Sequence, residues 1–164
     1  MSMKIKGGLL SGLLCLLAVL ISCRADGSAS YLGVLQGAFS AEVSGTLNGV
    51  EFSAQLEARM GASGREIVAT FYAPQTICGT VVCKRADGSG YLQAGEVLVE
   101  GVEGMAPLLD LFWQERAVSD VALNESGHTV VQAEGLTLTL LPDGTPYRLE
   151  SPAADLTVIS WGMR

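Results

Sequence analysis

The chain has 164 residues, of which 49% are apolar and only 16% are charged, with ten Lys/Arg against 17 Asp/Glu. Because Lys4 and Lys6 lie in the first 22 residues, the rest of the chain carries eight basic and 17 acidic side chains, a formal balance of −9. This remainder is long enough to form one hydrophobic core without metal or disulfide support. It has too few basic side chains for the face that phosphate contacts require, so nucleic-acid binding is not expected.

The first 22 residues have the features of an export signal. Lys4 and Lys6 make the start basic, and Leu9–Ile21 is a run of thirteen residues without a charge. At about 1.5 Å per residue, such a run is too short to span roughly 30 Å of hydrocarbon. A signal peptide is therefore predicted over residues 1–22.

The signal ends in Leu20-Ile21-Ser22-Cys23, which resembles the bacterial lipobox. The resemblance implies that Cys23 receives a diacylglyceryl thioether and that cleavage between Ser22 and Cys23 makes it the mature N-terminus. At about 0.8 kcal/mol per buried methylene, two or three acyl chains hold a soluble domain firmly on a membrane. The alternatives are a secretory signal that happens to contain a cysteine and an uncleaved transmembrane anchor. We expect a protein on the extracytoplasmic face of a bacterial membrane.

Residues 23–37 are predicted to be the lipidated N-terminus and its tether. Arg24–Ser30, RADGSAS, is small and polar, which is typical of a flexible segment, and it reaches at most about 25 Å when extended. Residues 38–164 are predicted to form a single β-rich domain. This domain is expected to work close to the bilayer.

A hairpin is predicted at the start of the domain. Residues Phe39–Leu47 alternate between apolar and polar types, which is the period of a half-buried strand. Asn48-Gly49 is typical of a tight turn, and the alternation restarts over Val50–Met60.

The rest of the domain is predicted to continue strand by strand, with one helix. Between Met105 and Arg116, leucine and aromatic residues recur at helical spacing, and Pro107 suits a first helical turn. Strands are predicted over 66–72, 76–85, 91–94, 118–123, 128–133, 136–141, 146–150 and 156–161. This order predicts a mainly β (α+β) domain, with a curved antiparallel sheet or open half-barrel and one amphipathic helix packed on or in it.

Several short phrases of the chain resemble a known family. They are LNG in the first hairpin, TFYAP at a strand end, ICGTVV in the next strand, a Gly-flanked helix, and LPDGTPYRLE near the C-terminus. From about Ala38 onward they resemble bacterial lipoproteins of the LolA/LolB-like superfamily, and in particular small Gram-positive lipoproteins, including those that act in spore germination. The resemblance implies an open half-barrel whose concave face, covered by a helix, holds acyl chains.

The first hairpin supplies a candidate apolar concave face. Its inward positions combine large residues with the small residues Ala41, Gly45, Ala54 and Ala58, which leave space. The large residues are Phe39, Val43, Phe52, Leu56 and Met60. The alternative is an ordinary core, because alternating apolar residues of mixed size also pack without a gap.

The predicted helix is also a candidate interface. A helix this apolar normally packs on the sheet. Leu111 and Trp113 cannot both share one narrow stripe with Leu108 and Phe112, however. The alternative is therefore an exposed lip, formed by Leu111 and Trp113, that touches the bilayer or a partner protein.

Cys78 and Cys83 are the cysteines that remain besides the anchor, since Cys15 lies in the signal. Five residues of straight strand separate their Cα atoms by roughly 16 Å, whereas a disulfide needs less than about 7 Å. A bridge would require a turn or bulge at Gly79, and the alternative is two buried, inert thiols. The C-x4-C spacing does not match a redox motif, and no further Cys/His set completes a zinc site.

No catalytic group is predicted. His128 is the only histidine, lies in no recognisable nucleophile motif and is expected at the surface. Glu96, Glu100 and Glu103 are the densest carboxylates, but no aromatic platform for a sugar accompanies them, so a solvated face or edge is expected. Phosphate-loop, dinucleotide and calcium-loop patterns are absent from the sequence. We therefore expect neither an enzyme nor a metal site.

Two functions fit these features. The first is a lipid-anchored binding module that holds an apolar ligand, or an acylated or hydrophobic partner, in the concavity of the sheet. The second is an adaptor or regulatory lipoprotein that docks a cell-envelope or cell-wall enzyme and whose cavity is closed. For both we expect membrane attachment through Cys23, no cofactor beyond its diacylglyceryl group, a lipid or protein partner, and a monomer.

Overall fold

The computed structural model describes residues 27–61, 64–101, 107–113 and 116–164. These residues form one eleven-stranded antiparallel sheet with two short helices, α1 (Gly27–Gln36) and α2 (Pro107–Asp110). The strands are β1 Phe39–Leu47, β2 Val50–Gly61, β3 Gly64–Ala73, β4 Val81–Arg85, β5 Gly90–Ala94, β6 Val97–Glu100, β7 Val118–Leu123, β8 Thr129–Ala133, β9 Leu136–Leu140, β10 Pro146–Glu150 and β11 Ala154–Met163. The predicted fold class is confirmed. In the parts described, neither helix is long and apolar enough to cross a membrane.

The sheet consists of two meanders that meet at their first and last strands. Strands β1 to β6 follow one another outward, β7 to β11 return inward, and β11 pairs with β1. Strands β6 and β7 are the two ends of the strand order, so the sheet is open. The predicted first hairpin is confirmed: Asn48 and Gly49 have φ of 51° and 78°, as a tight hairpin turn requires.

Burial divides the sheet into an inner and an outer face. The inner face carries the apolar positions of the strands, and in β2 every second residue from Phe52 to Ala58 is buried. The core therefore lies on one side of the sheet and continues through both meanders. Its largest fully buried side chains are Phe39, Phe112, Leu56, Ile67, Leu108, Leu109, Leu138, Leu149, Leu156, Val43 and Val131.

The segment predicted as a tether differs in its second half. Helix α1 occupies Gly27–Gln36, and Leu32 and Leu35 are buried in the core with exposures of 5% and 4%. Side chains three residues apart lie on the same side of a helix, so these two leucines hold α1 on the domain. The predicted signal, Cys23 and the start of the tether lie outside the described residues.

Two other predicted elements are shorter than the sequence suggested. The strand predicted over residues 76–85 begins only at Val81, because Gln75–Ile77 forms a 3-10 turn and Gly79 has φ of 80°. Of the predicted helix Met105–Arg116, the structure describes residues 107–113 and 116, and of these Pro107–Asp110 form the single turn of α2 and 111–113 a further turn.

Close approach of β1 and β11 makes Gly45 a sensitive position. A Cβ added at Gly45 would lie 1.9 Å from the carbonyl oxygen of Asp155. We expect Gly45→Ala to lower the free energy of unfolding by about 3 kcal/mol, because the two central strands would have to separate. Gly162→Ala is the matched control, since its Cβ would meet no atom closer than the Ser40 oxygen at 4.0 Å. Urea unfolding measures both, and equal stability of the two variants would contradict this interpretation.

Candidate functional site

A short segment covers part of the inner face. It comprises α2 and the turn after it, Pro107–Trp113, and is called the covering segment below. Leu108, Leu109, Leu111 and Phe112 are all buried, with exposures of 1 to 5%. The Phe112 ring lies 5.5 Å from the Phe39 ring of β1, centroid to centroid. The covering segment is therefore part of the core and packs on the sheet, as the main sequence interpretation predicted.

Most residues of the predicted apolar face are buried in the core. Phe39, Val43, Phe52 and Leu56 lie on the inner face with exposures of 0 to 5%. Met60 is wrong as a lining residue, since 70% of it is exposed. It has the correct parity, but it lies near the end of β2, beyond Ala58, the last buried residue of that strand.

An apolar cavity lies between the sheet and the covering segment. Its volume is about 200 Å³. It is lined by Leu47, Asn48, Ala69, Phe71, Val82, Pro107, Leu108 and Leu109, of which only Asn48 has a polar side chain. Pockets that hold whole small molecules are usually about 300–1,000 Å³, so the cavity as it stands admits only part of a ligand.

Arg65 ties the covering segment and α1 to the start of β3. Its guanidinium donates hydrogen bonds to the carbonyl oxygens of Phe112, at 2.8 Å, of Leu35, at 2.5 Å, and of Gly37, at 3.2 Å. Burial lowers the pKa of Arg65 from its ordinary value. A planar guanidinium can reach several carbonyl groups at once, so one side chain joins three separate segments.

A second set of polar contacts holds the other side of the covering segment. Lys84 of β4 forms an ion pair with Asp110. Its Nζ and the Arg65 guanidinium lie 5.7 and 5.6 Å from the Trp113 ring, within the range of cation–π attraction. The covering segment is thus held by apolar burial beneath it and by cations at its rim.

Leu111 and Trp113 do not form the exposed lip that was considered as an alternative. Leu111 has an exposure of only 5%, so it is not available to a membrane or a partner, and this alternative is wrong for Leu111. Trp113 is half-buried, packs against the core and faces Arg65 and Lys84. The turn after α2 aims both side chains at the domain, which a continuous helix would not do.

Beyond the covering segment, the apolar inner face continues to the edge of the sheet. Val82, which lines the cavity, pairs with Leu92 of β5, and Leu92 pairs with Val99 of β6. Exposure increases along this row, from 5% at Val82 to 46% at Val99. The wall of the cavity is therefore continuous with an exposed apolar surface on β5 and β6.

A larger cleft of about 420 Å³ lies at β1, β2 and the end of β3, and its lining is more polar than that of the apolar cavity. It is lined by Ser44, Gly45, Thr46, Glu51, Phe52, Ser53, Ala73 and Pro74. Hydroxyl and carboxylate groups of neighbouring strands make this cleft mixed in polarity. The lining residues include no His, Cys or Lys.

Both cysteines of the domain are free. Cys78 is exposed in the loop between β3 and β4, and Cys83 is buried in β4, so the disulfide is contradicted and only one of the two thiols is buried. The turn at Gly79 leaves Cys78 in the loop, whereas Cys83 lies opposite Tyr91 of β5. Burial raises the pKa of the Cys83 thiol.

This difference predicts two reaction rates with a thiol reagent. We expect Cys78 of the processed native protein to react rapidly with a disulfide reagent such as DTNB, and Cys83 only after unfolding, because the thiolate is the reactive form. The absorbance of the released thiolate product gives the number of thiols that have reacted. Cys78→Ser should abolish the rapid phase and leave the slow one. Two rapid thiols, or none, would contradict the prediction.

The remaining candidate residues do not form a site. His128 is half-buried beside Tyr147, with ring centroids 5.4 Å apart. Glu96 and Glu100 are exposed at the β5–β6 turn and at the end of β6, and Glu103 lies outside the described residues. Among the residues the structure describes, no three His, Cys, Asp or Glu side chains lie close enough together to hold a metal ion.

Comparison by sequence finds no relative: no protein-family model and no curated protein matches the chain. Comparison of structures finds similar folds. An uncharacterised conserved protein from Thermus thermophilus is 14% identical with a TM-score of 0.51, and the match covers 85% of this chain and 88% of that one.

Two further structures are less similar. A domain assigned to outer membrane lipoprotein sorting from Vibrio parahaemolyticus has 8% identity and a TM-score of 0.47, with 83% of this chain and 90% of that chain covered. A LolA superfamily protein from Nitrosomonas europaea has 9% identity and a TM-score of 0.43, covering 85% and 94%. At these identities the comparisons concern the fold alone, and what the chain shares with the Thermus protein is its architecture.

Proposed function

We propose that this chain is a lipid-anchored extracytoplasmic protein that binds an apolar ligand, or an acylated or hydrophobic partner, on the inner face of its sheet, without chemistry of its own. The observation that carries the proposal is the apolar cavity beneath the covering segment. Seven of its eight lining residues have apolar side chains, and its wall continues into the exposed row Val82–Leu92–Val99. Removing such a surface from water on binding contributes about 25 cal/mol per Å².

Entry of a longer ligand requires the covering segment to move. Leu108 and Leu109 line the cavity, so displacing them enlarges it and exposes further inner-face residues. A ligand chain that takes their place replaces their apolar contacts. The rim contacts of Arg65 and Lys84 set the cost of this displacement, because they join the covering segment to β3 and β4.

The predicted anchor places the inner face near a source of apolar ligands. Three residues, 24 to 26, separate Cys23 from the start of α1 at Gly27. Even fully extended, a link of this length reaches only about 14 Å. With Cys23 acylated, the domain is held within a short distance of lipid acyl chains and of other acylated proteins.

Site-specific photocrosslinking in cells tests this proposal. A benzophenone amino acid placed at Leu109 should form adducts with free lipid, seen as added mass on the purified chain. The same group at Tyr72, which is 49% exposed on the outer side of β3, is the control and should form none. A crosslink to the protein's own acyl chains on Cys23 adds no mass, so it is distinguished from a crosslink to free lipid.

Two matched substitutions sharpen the test. Ala69 lines the cavity and Ala58 does not, although both are buried on the inner face with exposures of 0% and 1%. Ala69→Leu should reduce lipid adducts at position 109 several-fold by filling the cavity, whereas Ala58→Leu should not. Equal adduct yields at positions 109 and 72, or equal effects of the two substitutions, would contradict the proposal.

The adaptor function is supported by a different observation. The cavity is smaller than usual ligand pockets, and its neighbourhood is filled by Leu108, Leu109 and Phe112. An adaptor with this closed face would instead dock an envelope or cell-wall enzyme through its surface. It predicts no lipid adduct at position 109 and protein adducts at an exposed apolar position such as Leu98.

A further inference from the structure

Strand β6 is an open edge with apolar side chains on both faces. Val97, Leu98 and Val99 have exposures of 62%, 56% and 46%. Val97 and Val99 lie on the inner face and Leu98 on the outer face, because their partners in β5 are Ala94, Leu92 and Gln93. In the described part of the chain β6 pairs with β5 alone. Natural edge strands are usually protected, so an apolar edge of this kind marks an interaction site.

The backbone of β6 offers regular hydrogen-bonding groups to an added strand. The amide of Gly101, just after β6, donates to the carbonyl of Gly90 at 3.0 Å. Paired residues of an antiparallel ladder alternate between bonded and non-bonded pairs, so Val99 and Val97 also bond to β5. Leu98 and Glu100 therefore direct their amide and carbonyl groups to the free edge.

Carboxylates flank the apolar centre of this strand. Glu96 precedes it in the β5–β6 turn, Glu100 ends it, and neither forms an ion pair with a described residue. Pairing of two copies of β6 about Leu98 would set Glu96 of one copy against Glu100 of the other. Like charges directly opposite in a sheet are destabilising, so a second copy is a poor occupant and a basic strand a good one.

The other edge of the sheet lacks this combination. In β7 the exposed apolar residues Val121 and Leu123 both lie on the inner face, since they pair with Val131 and Thr129. Its outer face carries Asp120, which pairs with Gln132. Helix α1 also contacts β7. The β6 edge is thus the better surface for strand addition.

We propose that β6 binds, by strand addition, an extended segment of a partner protein whose apolar centre is flanked on both sides by Lys or Arg. Main-chain bonds to Leu98 and Glu100 supply affinity, apolar side chains of the segment cover Val97 and Val99, and its cations meet Glu96 and Glu100. This surface does not depend on ligand binding in the cavity. It gives the adaptor function a docking site and a partner chemistry.

Peptide binding to the full chain, processed by the cell and held in nanodiscs of zwitterionic phosphatidylcholine, tests the proposal. The probe is the fluorescein-labelled peptide SKVTVKS, and its control SEVTVES has the same apolar residues with the charges reversed. Fluorescence anisotropy should show SKVTVKS binding at least about tenfold more tightly, with an affinity that falls as salt rises. Equal affinities for the two peptides would overturn the proposal.

Two variants separate strand addition from general stickiness. Leu98→Pro removes an amide that faces the free edge, so β5 pairing is retained and peptide affinity should fall at least about tenfold. Leu123→Pro is the matched control on β7. The amide of Asn124 donates to the carbonyl of His128, so by the same alternation the amide of Leu123 faces the free edge of β7 and not β8. This variant leaves β6 intact, so its affinity for the peptide should not change. Unchanged binding to Leu98→Pro would overturn the proposal.

A charge exchange keeps the proposal testable even if proline disturbs the strand. The double variant Glu96→Lys, Glu100→Lys should prefer SEVTVES to SKVTVKS, the reverse of the parent protein. A measurement of molecular mass should show that the parent protein forms no dimer through β6, that is, no dimer that is lost in Leu98→Pro. Failure of the preference to reverse, or a dimer lost in Leu98→Pro, would overturn the proposal, the second by identifying another copy as the occupant.

Discussion

Replacement of Phe112 by Ala should lower the free energy of unfolding by about 4 kcal/mol and, at the same time, increase lipid capture. The ring is 1% exposed and packs near Phe39, so its removal leaves a cavity in the core. Chemical denaturation measures the first effect. Photocrosslinking from position 109 measures the second, because the new space adjoins the covering segment.

A stability control distinguishes the covering segment from the rest of the core. Leu149 is fully buried in β10, at some distance in sequence from the covering segment and outside the cavity lining. Leu149→Ala should cost a similar 2–5 kcal/mol but leave lipid capture unchanged. If both variants changed lipid capture alike, the effect would follow from general loosening and the covering segment would have no special role.

Replacement of Arg65 by Ala is expected to cost about 3 kcal/mol. The substitution removes three hydrogen bonds from a charged donor and leaves the carbonyls of Leu35, Gly37 and Phe112 without their partner. Arg65→Lys should lower the free energy of unfolding less than Arg65→Ala does, but more than an Arg→Lys substitution at the surface would. The reason is that an ammonium group lacks the planar guanidinium that reaches separate carbonyl groups. Guanidinium chloride unfolding measures the three proteins.

Hydrogen exchange reads the local consequence of the same change. The amides of Phe112 and Trp113 bond to Leu109 and Asp110 within the covering segment. In Arg65→Ala these two amides should exchange faster than those of the central strands, since the contact that anchors the segment is lost. Unfolding of Arg65→Ala at the same denaturant concentration as the parent protein would contradict the role given to Arg65.

The strands were predictable because their residues carry the period of a sheet with one buried face. Alternation over β1 and β2 gave both the bounds and the side of each residue, and Asn48-Gly49 gave the turn, since few residue pairs adopt positive φ at two successive positions. Alternation predicts on which face of the sheet a residue lies, but it does not predict how far along the strand the buried region extends. Met60 has the parity of Leu56 but is 70% exposed, because it lies beyond the last buried residue of β2.

The features that depend on tertiary contacts were not predictable from local pattern. Helix α1 begins within a Gly/Ser-rich segment, and its two buried leucines are too few to show a helical period. The role of Arg65 arises from carbonyls that lie 28, 30 and 47 residues away in the chain. Strand β6 was not predicted: only the carboxylates Glu96, Glu100 and Glu103 were expected, on a solvated face or edge. The apolar exposure of β6 follows from its place at the end of the sheet.

The same reasoning limits what the cysteines and the helix could reveal. A turn at Gly79 was named as the condition for a bridge between Cys78 and Cys83, and the turn exists, yet it exposes one thiol and leaves the other buried. Leu111 was hard to place because helical spacing does not continue past Asp110. Where a regular element ends, side-chain direction follows from the turn, and periodicity no longer predicts it.

The most direct test of the central claim is the amount of lipid that accompanies the protein. The chain is purified from the membranes of cells that produce it, non-covalently bound lipid is extracted, and its molar ratio to protein is measured by mass spectrometry. The ratio should approach one for the parent protein and for Ala58→Leu, and fall several-fold for Ala69→Leu, which fills the cavity. A ratio near zero for the parent protein, or one that Ala69→Leu leaves unchanged, would contradict apolar ligand binding on the inner face.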